Sequence, residues 1–299
     1  MFQLVRRIAS IFAVVTKDKK VRQLMLGVGL LVATTVALLL GLSYWREFFI
    51  SQIQAVSYKG FLKALGIFSL IAGSLVLVKG YHAFLMRKLE MRAREILYHK
   101  YMSRLAGNGT SSATPEQRVT VDLIRAPQLV FSILFGLLEA SIILVTFGIA
   151  MSKVAAWFVF PAILVYAGIG MVVSARIAKP LKKLDIDNQQ KEANLYRELI
   201  VWFKSGGKIP DLNPVKYNWM ALATRSKVLG FFVSGHGQLG AIIPFLVLSP
   251  GYFTGVFTMG ILWQVADMAG RVIDSLTYLI DRRADISEVD ACIERLEQL

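Results

Sequence analysis

The stretch ILWQVADMAGRVIDSLTYLI, residues 261–280, has the length of a membrane span yet carries three formal charges, Asp267, Arg271 and Asp274. Their spacing of four and three places them on one helical face, which Gln264 and Tyr278 extend. On insertion scales a central Asp or Arg costs about 2.5 to 3.5 kcal/mol, so three unpaired charges amount to roughly 8 to 10 kcal/mol. Such a face is expected to line a water-filled cavity or the interior of a helix bundle. One reading has Arg271 neutralise one carboxylate and leave the other as a proton carrier that responds to conformation. The other reading is a static clamp, with both acids bridging Arg271 across a dimer.

The rest of the chain supports a membrane protein. Of its 299 residues 55% are hydrophobic and only 18% charged, well outside the composition of ordinary soluble domains. Apolar runs of about 20 residues occur at approximately 24–44, 61–84, 129–151, 155–175, 229–248 and 257–280. Lys and Arg alternate between the segments joining them. The N-terminal segment has six, the stretches after spans two and four have eight and eleven, and the tail has three; the stretches after spans one, three and five hold only Arg46, Lys59 and Lys153. That asymmetry explains the net charge of +14 without nucleic acid and puts both termini in the cytoplasm. Residues 1–23 are expected to form an interfacial helix with Arg6 and Arg7 at the head groups, a mitochondrial presequence being the rival. The single cysteine, Cys292, allows no internal disulfide, and no metal motif is present.

The two basic cytoplasmic stretches, MRKLEMRAREILYHKYMSRLA and KPLKKLDIDNQQKEANLYRELIVWFK, keep helical periodicity, so spans two and four are expected to continue as long helices beyond the bilayer. Each is followed by a Gly-rich polar break and then a helix start. In TPEQ, Thr114 caps, Pro115 takes the first helical position and Gln117 closes a capping box; Asn213 and Pro214 repeat the cap-then-proline order.

These segments together resemble the SbmA/BacA peptide-uptake proteins and the related transmembrane half of ABC exporters of the ABCD type. WREFFISQIQ is similar to the family's W-R-x-x-F-x-x-x-L-Q segment through Trp45, Arg46, Phe49 and Gln54. TPEQRVTVD resembles N-P-D-Q-R-I-x-x-D through Pro115, Gln117, Arg118 and Asp122, with Thr114 and Glu116 departing from it. QQKEANLYRELI matches E-A-x-x-R-x-x-L through Glu192, Ala193 and Leu199, with Arg197 one place off. IIPFLVLSPGYFTGVFTMGILWQV is the closest match, through Pro244, Pro250, Tyr252, Phe253, Gly255, Gly260 and Gln264. The resemblance implies an all-α membrane protein with six transmembrane helices in the type IV exporter arrangement, forming a domain-swapped homodimer in a bacterial inner membrane. It lends no support to Asp267, Arg271 or Asp274, which the related proteins do not clearly share.

The 299 residues contain no G-x-x-x-x-G-K-[ST] phosphate loop, so no nucleotide-binding domain and no cofactor are expected within them. The function expected is proton-driven import of peptides or peptide-like compounds by alternating access. The alternatives are the membrane subunit of an ATP-driven transporter with a separate ATPase, contacting Gln117 and Arg118, and a membrane scaffold. No nucleophile, base and orienting group assemble, so an enzyme is not expected. Glu139, mid-span, is a candidate coupling acid or a neutral or paired buried residue. Glu192 and Glu198 are placed near the cytoplasmic end of span four, where SbmA-like proteins have acids implicated in coupling; ordinary helix pairing on a solvated face is the competing reading. His236 stands among small residues that favour helix packing and titrates near neutrality. Lys79 and His82 are expected to snorkel or pair at the inner end of span two.

Overall fold

The computed structural model describes residues 12–108, 121–207 and 209–297. After a helical turn at 12–15, seven helices follow: α1 Lys19–Gln54, α2 Tyr58–Asn108, α3 Leu123–Val154, α4 Val159–Ser205, α5 Asn213–Phe253, α6 Met259–Asp281 and α7 Arg283–Glu297. No strand occurs among the described residues. The expected Arg6 and Arg7 head-group contacts lie outside the described residues, and 19–23 belong to the first long helix.

Helices α1 to α5 are long and apolar enough to cross a membrane. Helix α6, with 23 residues, spans about 34 Å, enough for a hydrocarbon core of ~30 Å. It falls short of that apolarity because Asp267, Arg271 and Asp274 stand within it. The helical extensions of spans two and four follow the expected periodicity. Helix α2 runs on to Asn108 and α4 to Ser205, roughly 35 and 45 Å beyond their apolar segments at 1.5 Å per residue.

Several boundaries differ from the sequence expectation. Helix α1 continues ten residues past Tyr44, so Trp45 and Arg46 lie on helix, not in an external loop. Span four begins at Val159, leaving 155–158 as the turn. Asn213 is the first helical residue of α5 and its N–H is capped by the Asp211 carboxylate at 3.0 Å. Thr114, Pro115 and Gln117 lie outside the described residues. At the start of α1, Asp18 caps by accepting from the N–H groups of Lys20 (2.7 Å) and Val21 (3.1 Å), filling two of the donors a helix start leaves open.

Two separate cores form. The inner one joins Val21, Val28 and Val32 of α1, Leu89 and Leu97 of α2, Leu123 and Phe131 of α3, and Ile293 and Leu296 of α7. The outer one joins Val36 of α1 and Phe147 and Met151 of α3 with Ile163, Leu248 and the apolar face of α6. Helices α1 and α3 thread both. Helix α6 packs against α1, α3, α4 and α5, which is why its polar stripe meets protein. Helices α4 and α5 pair with each other and join the rest chiefly through α6.

Candidate functional site

The site grows from the meeting of α1 and α6 at their outer ends. A Cβ on Gly260 would lie 2.8 Å from the Glu47 carbonyl oxygen and 3.1 Å from Ser51 Oγ, so the two helices touch there backbone to backbone. On the adjoining face, the Trp45 indole N–H donates to the Ala64 carbonyl at 2.7 Å and the ring stacks on Phe49 and Phe68. These contacts fix the rotation of α1 and turn Ser43 and Arg46, three residues apart, toward α6. Gly260→Val is expected to pry the helix ends apart and to lower stability by about 1–3 kcal/mol, read as a fall in the melting temperature of detergent-purified protein.

One carboxylate lies between two guanidiniums. Asp267 Oδ1 accepts from Arg46 Nη1 at 2.9 Å, and Oδ2 accepts from Arg271 Nε at 3.3 Å and from the Ser43 hydroxyl. The Asp267 side chain is 10% exposed and Ser43 is buried. The Arg271 guanidinium also lies over the Phe147 ring, 5.7 Å from its centroid. Gln264, one turn toward the outer end and 1% exposed, has a buried side-chain nitrogen with no partner among the described residues. Within this cluster cations outnumber the carboxylate. Of the two acids between which the sequence left the choice open, Asp267 is the one that pairs with Arg271, and Arg46, arriving from α1, supplies it with a second positive charge. Asp274, about two turns further along α6 from Asp267, is exposed, and the ion pair of Arg271 is made to Asp267.

Glu139 lies elsewhere. It is half-buried on α3 and interacts electrostatically with His82 of α2 and Tyr278 of α6. Its neighbours are these rather than Arg271, because Arg271 is held at the outer pair. The Tyr278 hydroxyl donates to the Ser132 carbonyl at 3.1 Å and fits over Gly136, whose Cβ would collide with it. His82 Nε2 is buried and lacks a hydrogen bond among the described residues.

Other predicted positions serve helix packing. His236 stacks on Tyr166 (ring centroids 4.2 Å apart) and lies against Gly170 of α4, as its small neighbours suggest. Glu192 accepts from Asn188 at 2.7 Å, and Asn218 of α5 donates to the Leu184 carbonyl at 3.0 Å, closing the α4–α5 pair toward its tip. Lys191 pairs with Asp187. Glu198 is exposed and borders a cleft at the hairpin tip with Trp202, Ile209 and Asp211. Gln117 and Arg118 lie outside the described residues. Asp122, 3% exposed, receives a two-pronged hydrogen bond from Arg295 of α7, Nε at 2.8 Å and Nη2 at 2.7 Å. Among the described residues no group of three or more His, Cys, Asp or Glu side chains is placed to hold a metal ion.

A bundle of long apolar helices with a paired polar seam is the architecture of a multi-pass membrane protein. Residues 8–201 match the family model described as ABC transporter transmembrane region 2, and the chain belongs to that family. It is 20% identical to the inner membrane ABC transporter ATP-binding protein YddA of Escherichia coli K12, over 89% of this chain and 56% of that protein. It is 23% identical to the uncharacterized ABC transporter ATP-binding protein sll0182 of Synechocystis, over 85% and 42%. It is also 24% identical to ABC transporter D family member 2, chloroplastic, of Arabidopsis thaliana, over 61% and 28%. The chain thus spans about half or less of the length of these relatives. The ABCD-type side of the sequence resemblance is the one these matches carry.

Proposed function

We propose that this chain is the six-span membrane portion of an ATP-driven transporter, moving its substrate by alternating access, with α6 as the sixth span. ATP hydrolysis takes place on a nucleotide-binding domain docked at the cytoplasmic ends of the helices. The observation that carries this reading is the α4–α5 tip, roughly 45 Å beyond the apolar part of α4. It exposes Phe203 (77%), Ile209 (72%), Leu212 and Tyr217. Isolated exposed apolar residues mean little, but a group of large ones at the end of a long lever marks a protein contact. The relatives' descriptions as ATP-binding proteins agree. Two copies of the chain form the working unit, since the α4–α5 pair reaches the remainder of its own subunit chiefly through α6.

The alternative is proton-driven import of peptides or peptide-like compounds, and the half-buried Glu139 beside His82 favours it. Everted membrane vesicles from the host separate the two. Movement of a fluorescent peptide or a fluorescent acyl chain is expected to require ATP, to stop with orthovanadate and to survive a protonophore. Phe203→Asp with Ile209→Asp is expected to abolish the ATP-dependent component while leaving the protein folded. Movement that follows an imposed pH gradient without ATP replaces this reading with the proton-driven one.

A further inference from the structure

At the inner membrane boundary, α1 and α2 enclose a cleft of about 450 Å³ lined by Lys20, Gln23, Leu24, Leu85, Lys88 and Arg92. Its chemistry changes along its length. Leu24 and Leu85 stand at the first apolar turns of the two spans, and the helices close tightly just beyond them, where a Cβ on Gly27 would lie 3.2 Å from Leu85 Cδ1. Lys20, Lys88 and Arg92 stand one to two turns toward the cytoplasm, at the depth of phospholipid head groups.

The cations differ in their commitments. Arg92 spends Nη2 on Asp18 at 2.7 Å and Nη1 on Glu95 at 2.6 Å. Those carboxylates hold the guanidinium above its ordinary pKa, and Arg92 in turn holds Asp18 below the usual carboxylate value. Arg92 Nε remains buried without a hydrogen-bond partner among the described residues. Lys20 and Lys88 form no ion pair among the described residues; Lys88 Nζ rests 4.9 Å from the centroid of the Phe84 ring. The Asp18–Arg92–Glu95 chain therefore braces the cleft, and two lysines and one unspent N–H are left for a ligand.

We infer that this cleft binds one anionic phospholipid, its phosphate between Lys20 and Lys88 within reach of Arg92 Nε and an acyl chain leaving along Leu24 and Leu85. A basic recess between spans on the cytoplasmic side is the arrangement that captures acidic head groups. The apolar end distinguishes a lipid from a soluble phosphate, which has no use for Leu24 and Leu85. Binding here ties the base of α1 to α2 beside the inner core.

The test uses the full chain purified in a neutral detergent, with native mass spectrometry and thermal melting as readouts. The probes are dioleoyl phosphatidylglycerol, dioleoyl phosphatidylcholine and inorganic phosphate. Phosphatidylglycerol is expected to bind as a single tight copy and to raise the melting temperature more than phosphatidylcholine. Lys20→Gln with Lys88→Gln is expected to weaken it about 25-fold, near fivefold per lysine, with the melting temperature in phosphatidylcholine unchanged. The control pair Lys216→Gln with Lys227→Gln, exposed on α5, is expected to leave binding intact. Equal loss in both pairs shows general attraction to a basic surface and overturns the site, as does equal binding of the two lipids. Stabilisation by inorganic phosphate equal to that by phosphatidylglycerol overturns the lipid assignment.

Discussion

Asp267→Leu is expected to lower stability by about 3 kcal/mol, because it leaves Arg46 and Arg271 facing one another in a partly buried seam without their shared carboxylate. For a chain of this size that corresponds to a melting shift of roughly 6–12 °C in detergent. Asp267→Asn keeps the size and the hydrogen bond from Ser43 and should cost about half as much. Combining Asp267→Leu with Arg46→Leu should recover part of the loss, since Arg271 keeps its place over Phe147 and the repulsion between guanidiniums is gone. The coupling is measured as the double-mutant deviation from additivity. The outcome also bears on drive. If Asp267→Asn melts like the parent and removes only a pH dependence of transport, the carboxylate is a proton carrier and not a static link between Arg46 and Arg271.

The second large effect lies at the other end of the molecule. Asp122→Ala removes the acceptor of both Arg295 hydrogen bonds, the less exposed of two polar ties between the start of α3 and the C-terminal helix α7; the other joins Arg125 to Glu288 at 2.6 Å. Arg295 is near half exposed and rehydrates when released, so the cost falls on docking of α7 more than on the whole fold. Cys292 reports it. Burial, with the Asp122 charge adding to it, pushes the thiol up to about 11, so in the folded protein the nucleophilic thiolate is scarce at pH 8. Weakening the docking by about 2 kcal/mol exposes the thiol some 30-fold more often. Alkylation of Cys292 by iodoacetamide at pH 8 should accelerate to match, with Asp122→Asn in between. An unchanged alkylation rate in Asp122→Ala means that the Asp122–Arg295 pair does not hold α7, and that Ile293, Leu296, their apolar neighbours and the Arg125–Glu288 pair suffice.

What a single sequence could reveal here follows the range of the interactions. The long helices were legible because charge and apolarity repeat every three to four residues through 85–108 and 176–205. The Asp267–Arg271 pair was legible because its members are four residues apart. Arg46 was missed for an instructive reason: the apolar run ends at Tyr44, so the residue reads as part of a loop, whereas α1 continues to Gln54 and carries it to α6. The W-R resemblance marks the residue but not its partner, and Ser43, one turn back on the same face, is the local hint that this face meets α6. The partners of Asp122 and Glu139 come from distant parts of the chain, 173 residues away for Arg295, and no spacing announces them. His236 was legible as packing, since the small residues around it require a close neighbour, but the identity of that neighbour, Gly170, was not.

The two cores threaded by α1 and α3 carry a mechanical implication. Each rod is an unbroken helix through the storeys it connects, so a push delivered at one end of the bundle is expected to reach the other as a tilt. For a stiff rod the length of α1, about 54 Å, a tilt of roughly 10° displaces one end by about 9 Å. Under the proposed ATP-driven function, small motions of a docked motor are geared up into a displacement of that order at the far end.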